Sequence, residues 1–182
     1  MTSQIKRVVT GVDENGKSVV YEDAPLPPLE IGLMAGAKFF QVWGTEGQLT
    51  APVTSPKPDN ATFFPGPGGS RFGLLTFPPE PPAGEEPAPA PDDATLAELA
   101  AEASAALPGL IEVFEPDAPG MHQTVSIDYA IVLSGQLHLE VDDGVEAVLP
   151  TGTVIVQNGA RHAWRNHGDV PATLAYVILA PS

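Results

Sequence analysis

The sequence predicts an all-β protein with a single helix, and three observations carry that expectation. Apolar and polar residues alternate over several short runs, most clearly in Gln136 to Val141, QLHLEV, the period of a strand with one buried face. Gly, Pro and Asp bound these runs at both ends, as turn residues do. Only one stretch, after a proline-rich run, carries a capped helical pattern. At 182 residues the chain is long enough for one sizeable core and short for two ordinary domains.

The chain opens with two strand patterns, IKRVVTGV and KSVVYED, around Asp13, Glu14, Asn15 and Gly16, where Asn-Gly signals a hairpin turn. Such an arm needs a surface to pack on, its own barrel or a second subunit. APLPPLEIGLMAG then runs extended under proline restriction. We therefore divide the chain into an arm and extended segment, 1–37, and a barrel, 38–182. In KFFQVWGTEG, Phe39, Gln41 and Trp43 alternate with Phe40 and Val42, a strand covered at least partly on both faces. Trp43 reads as core, with a pocket wall as the alternative.

A Pro, Gly and Asn-rich surface loop leads to RFGLLTF, another strand. Gly66, Gly68 and Gly69 precede it without the Lys-Ser/Thr ending or helix of a phosphate loop. Arg71 reads as half of an exposed salt bridge, a substrate carboxylate being the alternative partner. The proline-rich loop 78–93 reads as a tether, polyproline II or disordered. The helix expected at 95–107 has Thr95 and Glu98 as capping box and Leu96, Leu99, Ala103 and Leu107 on one face, and Pro108-Gly109 stops it. It serves as a lid or as a buttress; the residues do not separate the two. GLIEVFEPDAPG predicts a further strand and a turn.

The stretch from Met121 to Asn166 carries the chemistry. His122 is followed two positions on by Thr124, six on by Asp128 and thirteen on by Gly135. Gly144, Pro150 and Gly152 follow, then Gly159, His162 and Asn166. This pattern resembles the cupin superfamily over about residues 110 to 180, and MHQTVSIDY with QNGARHAWRN is similar to small cupins encoded beside polyketide genes and described as oxidoreductases. Thr124 stands where the family usually has a second histidine, and Asp128 where it has glutamate.

The resemblance implies a jelly-roll β-barrel and a divalent transition metal, Fe, Mn, Ni or Zn, with His122, Asp128 and His162 as ligands. Thr124, facing that metal, would act in catalysis by holding a bound water or substrate oxygen. It also implies a homodimer, since the N-terminal strand of cupins often joins the partner's sheet, and a backbone-bonding role for Asn166. Independently of the family, two neutral imidazoles and a carboxylate suit a first-row metal with open positions, or zinc with an activated water. His122 and Asp128 meet only if Val125 to Ile127 turns the chain back, because an extended run would part them by roughly 20 Å. The alternative is imidazoles that simply hydrogen-bond inside the barrel.

Strand parity points Trp164 and Asn166 inward with His162, making Trp164 the candidate substrate wall. His138 falls on the polar side of QLHLEV and His167 beside Gly168-Asp169; both read as solvent-facing. The formal charge of -15 disfavours nucleic acid or an anionic membrane as partner. The absence of cysteine excludes disulfides and thiolate metal sites. With no apolar leader or membrane-length stretch, a cytoplasmic location is the simplest reading. Three functions stay open: a metal-dependent enzyme acting by oxidation or by isomerisation, dehydration or decarboxylation on a small oxygenated molecule, a non-catalytic binder of an apolar metabolite, and a metal-free acid-base enzyme.

Overall fold

The structure is a computed structural model that describes residues 4–47, 51, 61–81 and 91–182. Ten strands alternate with turns: β1 Lys6–Val12, β2 Ser18–Pro25, β3 Lys38–Thr45, β4 Ser70–Phe77, β5 Ile127–Ser134, β6 Gln136–Glu140, β7 Glu146–Pro150, β8 Val154–Asn158, β9 Ala163–Arg165 and β10 Ala172–Leu179. One helix, α1, spans Asp93–Ala106. The expected all-β class with one helix holds among these residues. The proline-rich loop 78–93 lies largely outside them.

Two antiparallel sheets form the jelly roll, five strands ordered β3-β4-β10-β5-β8 and three ordered β7-β6-β9. Alternation explains how they close. Inward residues such as Val132, Leu137, Leu149, Ile155 and Leu174 are buried together between them, while Tyr129, Val154 and Val156 face out. Gly135 makes the corner between β5 and β6: its φ is +72°, and an added Cβ would fall 2.8 Å from the Ala172 backbone. β1 and β2 stand apart as a two-stranded hairpin, closed by the Asp13 carboxylate accepting from the Asn15 and Lys17 amides. Arg7 pairs with Glu22 and donates to the Val42 carbonyl at 3.2 Å, tying the hairpin to β3 of its own chain.

Three local expectations are corrected. The cap of α1 is Asp92, whose carboxylate accepts from the Thr95 amide at 2.8 Å, so the capping box with Thr95 and Glu98 starts too late. Its last turn buries Ala103 and Leu107 against Ile31 and Phe39, leaving Leu96 exposed. GLIEVFEPDAPG forms a 3-10 turn at Ile111–Val113 and one bridge, Phe114 to His122, instead of a strand. Pro116 and Pro119 bring no amide to a ladder, which limits pairing there. Arg71 is 4% exposed: it donates to the carbonyls of Thr62, Thr45 and Ser70 and pairs with Glu46. The salt bridge exists, but its arginine is buried rather than exposed. Trp43 borders a gap of about 10 Å³, too small for a ligand.

Candidate functional site

A cavity of about 170 Å³ lies between the sheets. The larger sheet supplies Asp128 and Ala130 from β5, Gln157 from β8 and Tyr176 from β10; the smaller supplies Trp164 from β9, and His162 sits just before that strand. Parity puts each of these inward, as it does for Trp164 two residues after His162. Gly73 sits opposite Tyr176 in the β4–β10 ladder and leaves the space that the phenol ring occupies. Phe39, Phe63, Phe77 and Phe114 make most of the remaining wall aromatic.

His122 and His162 meet as backbone bridge partners, each amide donating to the other's carbonyl at 2.9 Å. Their rings are therefore neighbours, with centroids 4.3 Å apart. The Nδ1 of His122 lies 3.1 Å from the Gly120 carbonyl and that of His162 lies 2.8 Å from the Ala160 carbonyl. A carbonyl only accepts, so both rings carry their proton on Nδ1 and keep an unprotonated Nε2. Burial lowers the pKa of each below the ordinary histidine value, and for His122 the neighbouring His162 lowers it further. Two neutral imidazoles thus sit side by side.

The chain bends at Val125 and Ser126 before entering β5, which brings Asp128 into the same cavity. Burial raises its pKa above the usual carboxylate value, against the opposing pull of the Ser126 hydroxyl and His122. Its Oδ1 is buried and unpaired, and so is Gln157 Nε2. The structure thus brings together His122, Asp128, His162 and Trp164. Thr124 lies outside the lining, because its hydroxyl turns instead to Ser126 Oγ at 2.8 Å. Asn166 is buried and donates to the carbonyls of Phe77 and Val170. Gln157 escaped the sequence reading, although the parity that aims Ile155 inward in VIVQN aims it inward too.

The donor chemistry of His122, Asp128 and His162 suits a divalent metal: two neutral imidazoles and an unpaired carboxylate oxygen. Their spacing does not complete a site. Among the described residues, the one His and carboxylate group whose ligand atoms all lie within 4.8 Å of one another is His138, Glu146 and His167. The ligand atoms of His122, Asp128 and His162 are not all within that distance of one another.

That second group occupies the outer face of the small sheet. His138 Nδ1 is 2.9 Å from Glu146 Oε2; His167 lies 3.2 Å from Glu146 Oε1 and 2.9 Å from Glu80 Oε2. Glu146 and Glu80 hold the His167 pKa above its ordinary value, and hydrogen bonds from His167 and His138 lower that of Glu146. His167 is exposed as expected, but its partners half-bury His138, correcting the expectation that it faces solvent.

Residues 110–179 match the family model described as Cupin domain. Over 62 residues, 34% of this chain and 35% of the relative, the chain is 39% identical to the Oryzines biosynthesis cluster protein J of Aspergillus oryzae. It is 50% identical over 46 residues, 25% of this chain and 24% of the relative, to the Phomopsin biosynthesis cluster protein D of Diaporthe leptostromiformis. With the Cupin-domain-containing oxidoreductase virC of Hypocrea virens it shares 37% over 62 residues, 32% of each chain. The matches span about a third or less of each relative's length. The Schizosaccharomyces pombe Cnp3 cupin domain superposes at a TM-score of 0.46 and 10% identity, covering 96% of this chain and 87% of that one. No helix of the described residues is long and apolar enough to cross a membrane. With β3 and β4 completing the larger sheet ahead of the matched segment, residues 110–179 form a cupin domain within this chain.

Proposed function

We propose that the chain is an enzyme acting on a small, largely apolar oxygenated molecule in the cavity, with His122, Asp128 and His162 at the reactive end. One observation carries this: two neutral imidazoles and an unpaired carboxylate oxygen face a space otherwise walled by aromatic and aliphatic groups. The oxidoreductase names of relatives such as virC agree with an enzymatic role. Each imidazole Nε2 is free to accept a proton from a bound molecule. Asp128, held toward its protonated form by burial, is suited to give one. Trp164, edge-on to His162 at a centroid distance of 5.9 Å, limits where a flat substrate lies. Thr124 acts at one remove, orienting Ser126 beside Asp128.

An iron, manganese, nickel or zinc ion would be held by His122 and His162 with Asp128 as third donor, supplying Lewis-acid or oxygen chemistry. The spacing of these three groups favours a second reading, in which they move protons without metal. Titration of chelator-treated protein with each of the four ions separates them. About one equivalent bound by the wild type and lost in the His122→Ala/His162→Ala variant supports the metal reading. Binding that survives this substitution belongs to His138, Glu146 and His167 and counts against it. Uptake below about a tenth of an equivalent leaves the acid-base reading, for which turnover must withstand chelation.

The same proposal takes the protein as a cytoplasmic homodimer. Tyr129 and Ile131 on β5 and Val154 and Val156 on the edge strand β8 are exposed and mutually paired, an apolar surface suited to a second copy. Sedimentation as a single chain at micromolar concentration would remove the dimer.

A further inference from the structure

The two unpaired polar atoms in the cavity are related in a way that defines a ligand. Asp128 and Gln157 are direct partners across the β5–β8 ladder, and both line the cavity. Oδ1 of the first and Nε2 of the second are the buried side-chain polar atoms without a hydrogen bond among the described residues. With the carboxyl proton on Oδ2 or lost, Oδ1 is an acceptor, whereas Nε2 is a donor, yet the two do not bond to each other. Native proteins seldom leave such atoms unpaired, since the desolvation of each goes uncompensated.

A single hydroxyl answers both at once: its O–H donates to Asp128 Oδ1 while its oxygen accepts from Gln157 Nε2. An ether or ketone oxygen serves only Gln157, and a methyl serves neither. Size and lining restrict what carries the hydroxyl. The volume of about 170 Å³ is close to the ~150 Å³ apolar cavity that takes up benzene in another protein. Phe39, Phe63, Phe77, Phe114, Trp164 and Tyr176 offer ring faces and edges to a flat guest.

We propose that the cavity binds a single-ring aromatic compound through a hydroxyl seated between Asp128 and Gln157, which makes Gln157 a specificity-determining residue of the site. The assignment rests on the reading of this cavity as the substrate site and narrows it to hydroxylated aromatic molecules, phenols or aryl alcohols. The Tyr176 phenol and the His122 and His162 imidazoles line the same space, so a substituent beside the hydroxyl comes within their reach.

Calorimetric titration with 4-methylphenol and with 1,4-dimethylbenzene, which differ by hydroxyl against methyl at nearly equal volume, tests it. The phenol is expected to bind wild-type protein at least about tenfold more tightly. Gln157→Leu is expected to bring the two affinities within about threefold by weakening the phenol alone, and to raise the Tm of the ligand-free protein by removing an unpaired donor. Gln157→Met, unbranched and of similar length, repeats the comparison if the leucine variant folds poorly. Equal wild-type affinities overturn the proposal and leave a trapped water as partner of both atoms. A wild-type preference that Gln157→Leu and Gln157→Met leave intact also overturns it. If neither compound binds, the reading of the cavity as a substrate site fails with it.

Discussion

The domain holds two histidine pairs of nearly equal spacing, and their surroundings give them opposite character. His122 and His162 stand 4.3 Å apart inside the barrel, His138 and His167 4.6 Å apart on the outer face of the small sheet. The inner pair meets aromatic walls, backbone carbonyls and one carboxyl that burial pushes toward neutrality, so both rings shed charge. The outer pair meets Glu146, and His167 meets Glu80 as well, so the His167 pKa rises above its ordinary value. Imidazole chemistry is the same in all four. Desolvation prevails where the ring is enclosed, and the partner charge prevails where solvent shares the site.

The contrast is most sharply broken through β6, where adjacent residues face the two regions. Leu137 is 0% exposed and packs in the core beside the cavity, whereas His138 belongs to the outer group. Leu137→Ala is expected to cost about 2–5 kcal/mol, the transfer and cavity penalties of an enclosed leucine. His138→Ala should cost no more than about 1 kcal/mol, since ion pairs near the surface contribute little. Urea unfolding with an unchanged m-value measures both. Equal losses would mean that the outer group is as structural as the core, and the division between the two faces would fall.

The same division governed what could be read from the residues alone. Period-two alternation exposed the strands and aimed His162 and Trp164 inward, because a strand side chain's direction follows from its parity. The spacing around His122, Asp128 and His162 matched a family pattern, and these three line the cavity while Thr124 does not. Legibility ended where contacts join segments distant in sequence. Nothing local to Arg71 announces that the carbonyls of Thr62 and Thr45 and the carboxylate of Glu46 close over it. His138, Glu146 and His167 come from two strands and a loop, and each alone looks like an ordinary solvated polar residue. Gln157 lay within reach of the parity argument, but an amide carries no conspicuous chemistry until its neighbours leave it unpaired.

The finest test of the contrast is titration of the individual rings by NMR in chelator-treated protein. His122 and His162, with pKa values below 6.5, are expected to stay mostly neutral at pH 6.5, while His167, with a raised value, is mostly protonated. The signs for stability are opposite. The inner rings resist protonation that the unfolded chain accepts, so their contribution declines as pH falls below about 6.5. His167 contributes fully below the unfolded value of 6.5 and loses its contribution as pH rises through its folded value. Glu146, with a lowered pKa, contributes above 4.5 and loses that as pH falls through its folded value. Glu146→Gln removes the carboxylate that does most to hold the proton on His167 and should return its titration toward 6.5 while His122 and His162 remain where they were. Because His167 is exposed, little change in overall stability should accompany it. A parallel movement of the inner rings would show the two pairs to be electrostatically coupled through the sheet, and local surroundings would no longer account for their difference.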